Sequence, residues 1–156
     1  GDIDAAAVEF LCRKKGMNIH DGLTYLNKKC GMLGVSGVSS DYRDLTAAAK
    51  EGNYRAQLAL NMFSYACKKY VGSYMAALGG LDVIVFTAGV GENTPHIRAS
   101  ILKDMEFFGI EIDEAKNNYK NDGAIHEISK DGSRVKVLVI PTNEELVIAR
   151  ETAALL

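Results

Sequence analysis

Two nearly uninterrupted runs of β-branched and apolar residues constrain this chain more than anything else in it. Leu81-Asp82-Val83-Ile84-Val85-Phe86-Thr87 and Val135-Lys136-Val137-Leu138-Val139-Ile140 have the length and composition of strands buried on both faces, which implies a parallel sheet. The second run also belongs to a hairpin signal, because two β-prone stretches between residues 124 and 140 flank Lys130-Asp131-Gly132-Ser133. Two buried strands and one hairpin partner fall short of the mean sheet of about five or six strands. A doubly covered sheet this small leaves apolar edges unprotected. The sequence therefore reads as part of a sheet, in a helix-rich α/β fold with a small mixed sheet.

Helices fill most of the remainder. Asp4 caps a helix over residues 5–15 that Gly16 stops, and a second helix runs from about residue 21 to 29, closed by Gly31. Residues 32–40 are punctuated by Gly and Ser and read as a loop. A helix follows to about Glu51. From Tyr54 to Leu78, apolar or small residues such as Leu58, Met62, Tyr65, Ala66, Tyr74 and Leu78 recur at helical spacing, which predicts one long helix. Residues 88–95 read as a Gly-rich loop, 97–108 return to helical spacing, and 143–155 form a last helix after Pro141. No repeat, low-complexity tract or linker marks a domain boundary.

Composition excludes several classes of function. Eighteen Lys and Arg against twenty Asp and Glu leave a formal charge of −2, so no broad basic surface draws nucleic acid or anionic lipid. Three cysteines, Cys12, Cys30 and Cys67, form no CxxC pair, and an odd number fits a secreted disulfide framework poorly, which favours a cytoplasmic setting. No apolar run approaches the roughly 18 to 20 residues of a membrane helix. A first residue of Gly rather than Met suggests processing or a longer parent.

Three segments carry possible chemistry. Val85-Phe86-Thr87-Ala88-Gly89-Val90-Gly91-Glu92-Asn93-Thr94-Pro95 joins a strand to a helix through a glycine-rich turn, which places backbone N–H groups at the carboxyl end of a parallel strand, where a phosphate can sit. Thr94 reads as the N-cap and Pro95 as the first helical residue. The segment fits neither the dinucleotide nor the P-loop glycine pattern, so a phosphate cradle and an ordinary turn both remain open. In Ser36-Gly37-Val38-Ser39-Ser40-Asp41-Tyr42-Arg43-Asp44, an acid, an aromatic and an arginine share one helix start. That set can hold a nucleoside through hydroxyl hydrogen bonds, stacking and cation–π contact, or can simply be a helix start with redundant caps. Arg43 opposes the helix dipole there, which favours a separate job for it. In Ile140-Pro141-Thr142-Asn143-Glu144-Glu145-Leu146, Thr142 and Glu145 fit a capping box and leave Glu144 free. A free carboxylate at that turn suits Mg2+, or else serves only as a favourable first-turn charge. Asp2 and Asp4 form an acidic pair, with Asp4 better explained as a cap. His20, His96 and His126 show no metal-ligand spacing.

Taken in order, Gly1-Asp2-Ile3-Asp4, the segment 36–44, the segment 85–93 and Pro141-Thr142-Asn143-Glu144-Glu145-Leu146 resemble the C-terminal motifs of the acetate kinase family, from the first residue to the last. The resemblance implies an actin-like ATPase (ribonuclease H-like) fold, in which two related α/β domains clasp a nucleotide. This chain would be the later part of the second domain plus a final helix, without the N-terminal domain. Asp41, Tyr42 and Arg43 would surround the adenosine, Tyr42 standing where the family usually has Phe. Gly89, Gly91 and Asn93 would form the phosphate-side turn, Ile97 would line the adenine pocket, and Glu144 would help position Mg2+. Ala5 stands where the family usually has Pro. The implied activity is reversible transfer of the γ-phosphoryl group of ATP to acetate, giving acetyl phosphate and ADP, by a homodimer. The same fold also acts on propionate or butyrate, and a nucleotide-binding module without chemistry is the other class considered. The catalytic Asp, Arg and His of the family would lie upstream, so the chain alone is expected to be inactive.

Overall fold

The computed structural model describes residues 3–155; Gly1 and Asp2 of the opening motif and acidic pair lie outside the described residues. The chain divides into two compact units, residues 1–63 and 64–156. The division falls inside a continuous 25-residue helix, α5 (Tyr54–Leu78), and for that reason no linker composition marks it.

The first unit is helical. Helix α1 (Ala5–Lys15) starts at Asp4, whose carboxylate accepts from the Ala6 and Ala7 amides, and stops at Gly16 with a φ of 63°. Helix α2 (Ile19–Lys29) begins two residues earlier than expected, because Asn18 caps it by accepting from the Asp21 amide. Residues 32–40 are not a loop throughout, since Gly31–Ser36 form a short helix, α3, ended by Gly37. Helix α4 (Tyr42–Lys50) follows. Cys12, Leu45, Ala56, Ala59 and Leu60 make this unit's core. In α5 the buried positions are thus small residues and one Leu. Leu58, Met62, Tyr65, Tyr74 and Leu78, the larger residues of the sequence pattern, are exposed.

The second unit holds a three-stranded mixed sheet in the order β1 (Val83–Phe86), β3 (Lys136–Val139), β2 (His126–Glu127). Strands β1 and β3 are parallel, and β2 runs antiparallel to β3, as the hairpin signal requires. The register sets Ile84 beside Val137 and Phe86 beside Val139 on one face, and Val83 beside Lys136 and Val85 beside Leu138 on the other. Val137 and Val139 are fully buried, whereas Val83 and Val85 are 42% and 48% exposed. The expectation that β1 is buried on both faces is therefore corrected: this sheet is covered on one face only.

Helix α7 (Pro95–Leu102) follows α6 (Ala88–Asn93), and the core of this unit also comprises Ile97, Ile101, Leu102, Met105, Ile110, Ile128 and Val135. Residues 97–108 are not one helix. The chain turns at Asp104, with a φ of 58°, before a single 3-10 turn at Glu106–Phe108. A one-turn helix, α8 (Glu114–Asn117), and a final helix, α9 (Glu144–Ala153), complete the unit. No described helix is long and apolar enough to cross a membrane.

Candidate functional site

In the first unit, the segment 36–44 folds into a connected turn. Ser39 donates from its hydroxyl to Asp44 at 2.7 Å and accepts from the Asp41 amide at 3.0 Å. Asp41 caps α4 by accepting from the Arg43 amide at 2.8 Å, and Arg43 returns across the cap with Nε on Oδ1 at 3.1 Å and Nη2 on Oδ2 at 2.6 Å. This fork of charge-assisted bonds holds the Asp41 carboxyl down at a pKa of about 2 and raises that of Arg43. The job that the helix dipole reserves for Arg43 is thus, within the chain, to clamp its own cap. Tyr42 is half-buried with its ring edge-on to Phe63, centroids 4.9 Å apart.

In the second unit, the carboxyl ends of the neighbouring parallel strands β1 and β3 lead into two helix starts that share one cavity. Ala88, Gly89, Glu92, Thr142, Asn143, Glu144 and Glu145 line it, with a volume of about 470 Å3. This is the position at which open parallel sheets bind ligands. The Gly-rich segment is not a loop here: α6 occupies it, with Ala88 at a φ of 57°. Gly91 sits where an added Cβ would lie 3.2 Å from the Phe86 carbonyl carbon, so its small size serves a close approach to the strand end. Asn93 donates to the Gly89 carbonyl at 3.0 Å and accepts from Asn121 at 2.9 Å. Ile97 is buried in the core behind the turn.

The expected capping box at Thr142 does not form. Asn143 is the N-cap of α9 and accepts from the Leu146 amide at 3.0 Å, because the Thr142 hydroxyl is committed elsewhere, to the Ala88 amide and the Thr87 hydroxyl. Glu144 and Glu145 then occupy the first helical turn, and both face the cavity. Thr94 precedes Pro95 as expected, but its hydroxyl donates back to the Val90 carbonyl and makes no cap bond.

Sequence reasoning missed Arg98. It is 1% exposed and donates to four acceptors: the Gly91 and Glu92 carbonyls at 2.7 and 2.9 Å, and the side chain and carbonyl of Asn117 at 2.8 and 2.7 Å. Burial lowers its pKa, while Tyr119, whose ring lies 5.4 Å below the guanidinium, opposes that shift. An arginine three and four residues before Ile101 and Leu102, on the apolar side of a helix, was the available signal.

A family model described as the acetokinase family matches residues 1–150. The chain belongs to the acetokinase family. Acetate kinase of Acetivibrio thermocellus is 56% identical over 155 residues, covering 99% of this chain and 38% of that protein. A crystal structure of Porphyromonas gingivalis acetate kinase superposes with a TM-score of 0.89 at 49% identity, covering 99% of this chain and 38% of that one. A propionate kinase from Francisella tularensis superposes with a TM-score of 0.84 at 36% identity, covering 97% and 38%. The chain thus spans about two fifths of the length of the relatives it matches. Its helix-rich α/β fold with a small mixed sheet is the one expected for the family's actin-like ATPase architecture.

Proposed function

We propose that this chain is the nucleotide-side part of an acetate kinase, which transfers the γ-phosphoryl group of ATP to a carboxylate oxygen of acetate and releases ADP. The observation that carries this reading is the convergence of the β1–α6 turn and the start of α9 on one cavity, with Gly89 and Glu144 both lining it. In this reading Gly89, Gly91 and Asn93 receive the nucleotide phosphates, Asp41, Tyr42 and Arg43 take the adenosine, and Ile97 closes the adenine side.

Glu144 would hold Mg2+. Two further carboxylates, Glu92 and Glu145, line the same cavity and offer oxygen, as a hard cation requires. Among the described residues no three metal-binding side chains converge. When bound, Mg2+ would supply positive charge against the nucleotide phosphates.

Phosphoryl transfer depends on positioning and charge neutralisation, and the described residues that line the cavity include acids but no Lys or Arg. On this reading, as the family resemblance implies, the acetate pocket and the catalytic Asp, Arg and His would come from sequence preceding this stretch, in a cytoplasmic homodimer. The likeness to a propionate kinase supports a second reading, the same reaction on propionate. Trapping of acyl phosphate with hydroxylamine tests both: the full-length polypeptide carrying this sequence should form acetyl phosphate from ATP faster than propionyl phosphate, and residues 1–156 alone should form neither. Turnover by residues 1–156 alone would overturn the assignment of the catalytic groups.

A further inference from the structure

Ala88 is the hinge between β1 and α6, and its φ of 57° is a conformation that a residue with a Cβ adopts at a cost. Its amide donates to the Thr142 hydroxyl oxygen at 3.0 Å. The same hydroxyl shares a 2.7 Å hydrogen bond with Thr87, and the Thr142 amide donates to Glu92 Oε1 at 2.9 Å. One residue on the β3–α9 turn thereby grips α6 near both ends, two positions before Glu144.

We propose that Thr142 is a positioning residue for the nucleotide-phosphate turn, and this rests on the phosphotransferase reading above. Its hydroxyl holds Ala88 in the left-handed conformation that aims Gly89 into the cavity. Its amide holds Glu92, so that the turn carrying Gly89, Gly91 and Asn93 and the turn carrying Glu144 keep a fixed spacing. Neither role requires Thr142 to touch the reacting atoms. A valine at this position would keep the shape and the amide but lose the oxygen that fixes Ala88.

The test uses the full-length enzyme. Thr142→Val should raise the KM for nucleotide about fivefold, the scale of one net hydrogen bond, and leave the KM for acetate unchanged. Thr142→Ser, which keeps the oxygen, should restore the nucleotide KM to near the wild-type value. A Thr142→Val enzyme with an unaltered nucleotide KM, or a Thr142→Ser enzyme equally impaired, would overturn the proposal. Should the valine variant not fold, hydrogen exchange of the unliganded wild type decides: the Ala88 amide should be protected, and exchange at the rate of an open amide would overturn the proposal. A wild-type enzyme that transfers no phosphoryl group from ATP would overturn the reading itself, and the proposal with it, before any variant is made.

Discussion

The guanidinium of Arg98 reaches from the first turns of α7 to the Gly91 carbonyl, 2.7 Å away, and ties the end of α6 to the protein interior. Its other bonds, to Glu92 and Asn117, leave no easy substitute, since a planar fork of donors serves four acceptors at once. Arg98→Met should lower folding stability by about 3 kcal/mol or more, because buried acceptors lose a charged donor. Arg98→Lys should recover only part of that. Urea unfolding checks both, and a methionine variant as stable as the wild type contradicts the role assigned to the clamp.

The two glycines of the turn should respond differently to alanine. At Gly89 an added Cβ meets nothing within 4 Å, so Gly89→Ala should leave stability unchanged or raise it by up to about 1 kcal/mol, the helix-propensity difference. At Gly91 the Cβ would press on Phe86, and Gly91→Ala should cost about 1 to 2 kcal/mol through overpacking. Under the proposed function, Gly89→Ala weakens nucleotide binding without shifting the unfolding midpoint. Equal unfolding midpoints for the two variants would contradict this packing.

Asp41 supplies a pH dependence with a definite sign. Its pKa falls from 3.8 to about 2 in the folded chain, first because Arg43 binds its carboxylate and then because it caps α4. A depressed carboxylate stabilises the fold above its unfolded value and loses that contribution as the proton returns. The α4 cap should therefore persist at pH 4 and fade as pH falls towards 2. An NMR titration of the Asp41 carboxyl carbon should give a midpoint near 2; a midpoint near 3.8 would show that the Arg43 clamp is absent in solution.

Between α1 and α2, Gly22 faces Cys12 so closely that an added Cβ would lie 2.3 Å from the thiol sulfur. Gly22→Ala should destabilise the first unit by about 1 to 3 kcal/mol, as overpacking does. Adding Cys12→Ala removes the sulfur and should return most of the loss, so the two effects should be non-additive. Thermal unfolding of the two single variants and the pair measures this, and simple additivity would contradict the contact.

The long helix and the parallel pair of strands were legible because large, periodic or β-branched residues declare them: Tyr54–Leu78 is one helix, and Val83–Phe86 and Lys136–Val139 lie parallel in one sheet, as the sequence predicts. The short helices were not, because Gly34 and Gly91 read as loop residues, whereas each lies inside a helix where an added Cβ would crowd backbone of another segment or turn. The exposed face of β1 was hidden for a different reason: an apolar run reports what a strand is suited to bury against, and here Val83 and Val85 face solvent. At the candidate site, local pattern and resemblance singled out the turn that carries Gly89 and the helix start that carries Glu144, and both line the cavity. Thr142 was misread because a local capping rule competes with a hydrogen bond to Ala88, 54 residues earlier, that no local pattern reveals.

The central claim is that this chain carries the residues that take ATP, and an amide-resolved NMR titration with MgATP tests it most directly. Under the proposed function, which assigns further phosphate contacts to parts of the relatives that this chain does not span, the chain should bind weakly, with a Kd of about 1 mM. The amides of Gly89, Gly91 and Asn93 and those of Asp41, Tyr42 and Arg43 should shift together along one binding curve. Shifts confined to other residues, or no change at either turn at several times that concentration, would contradict the account.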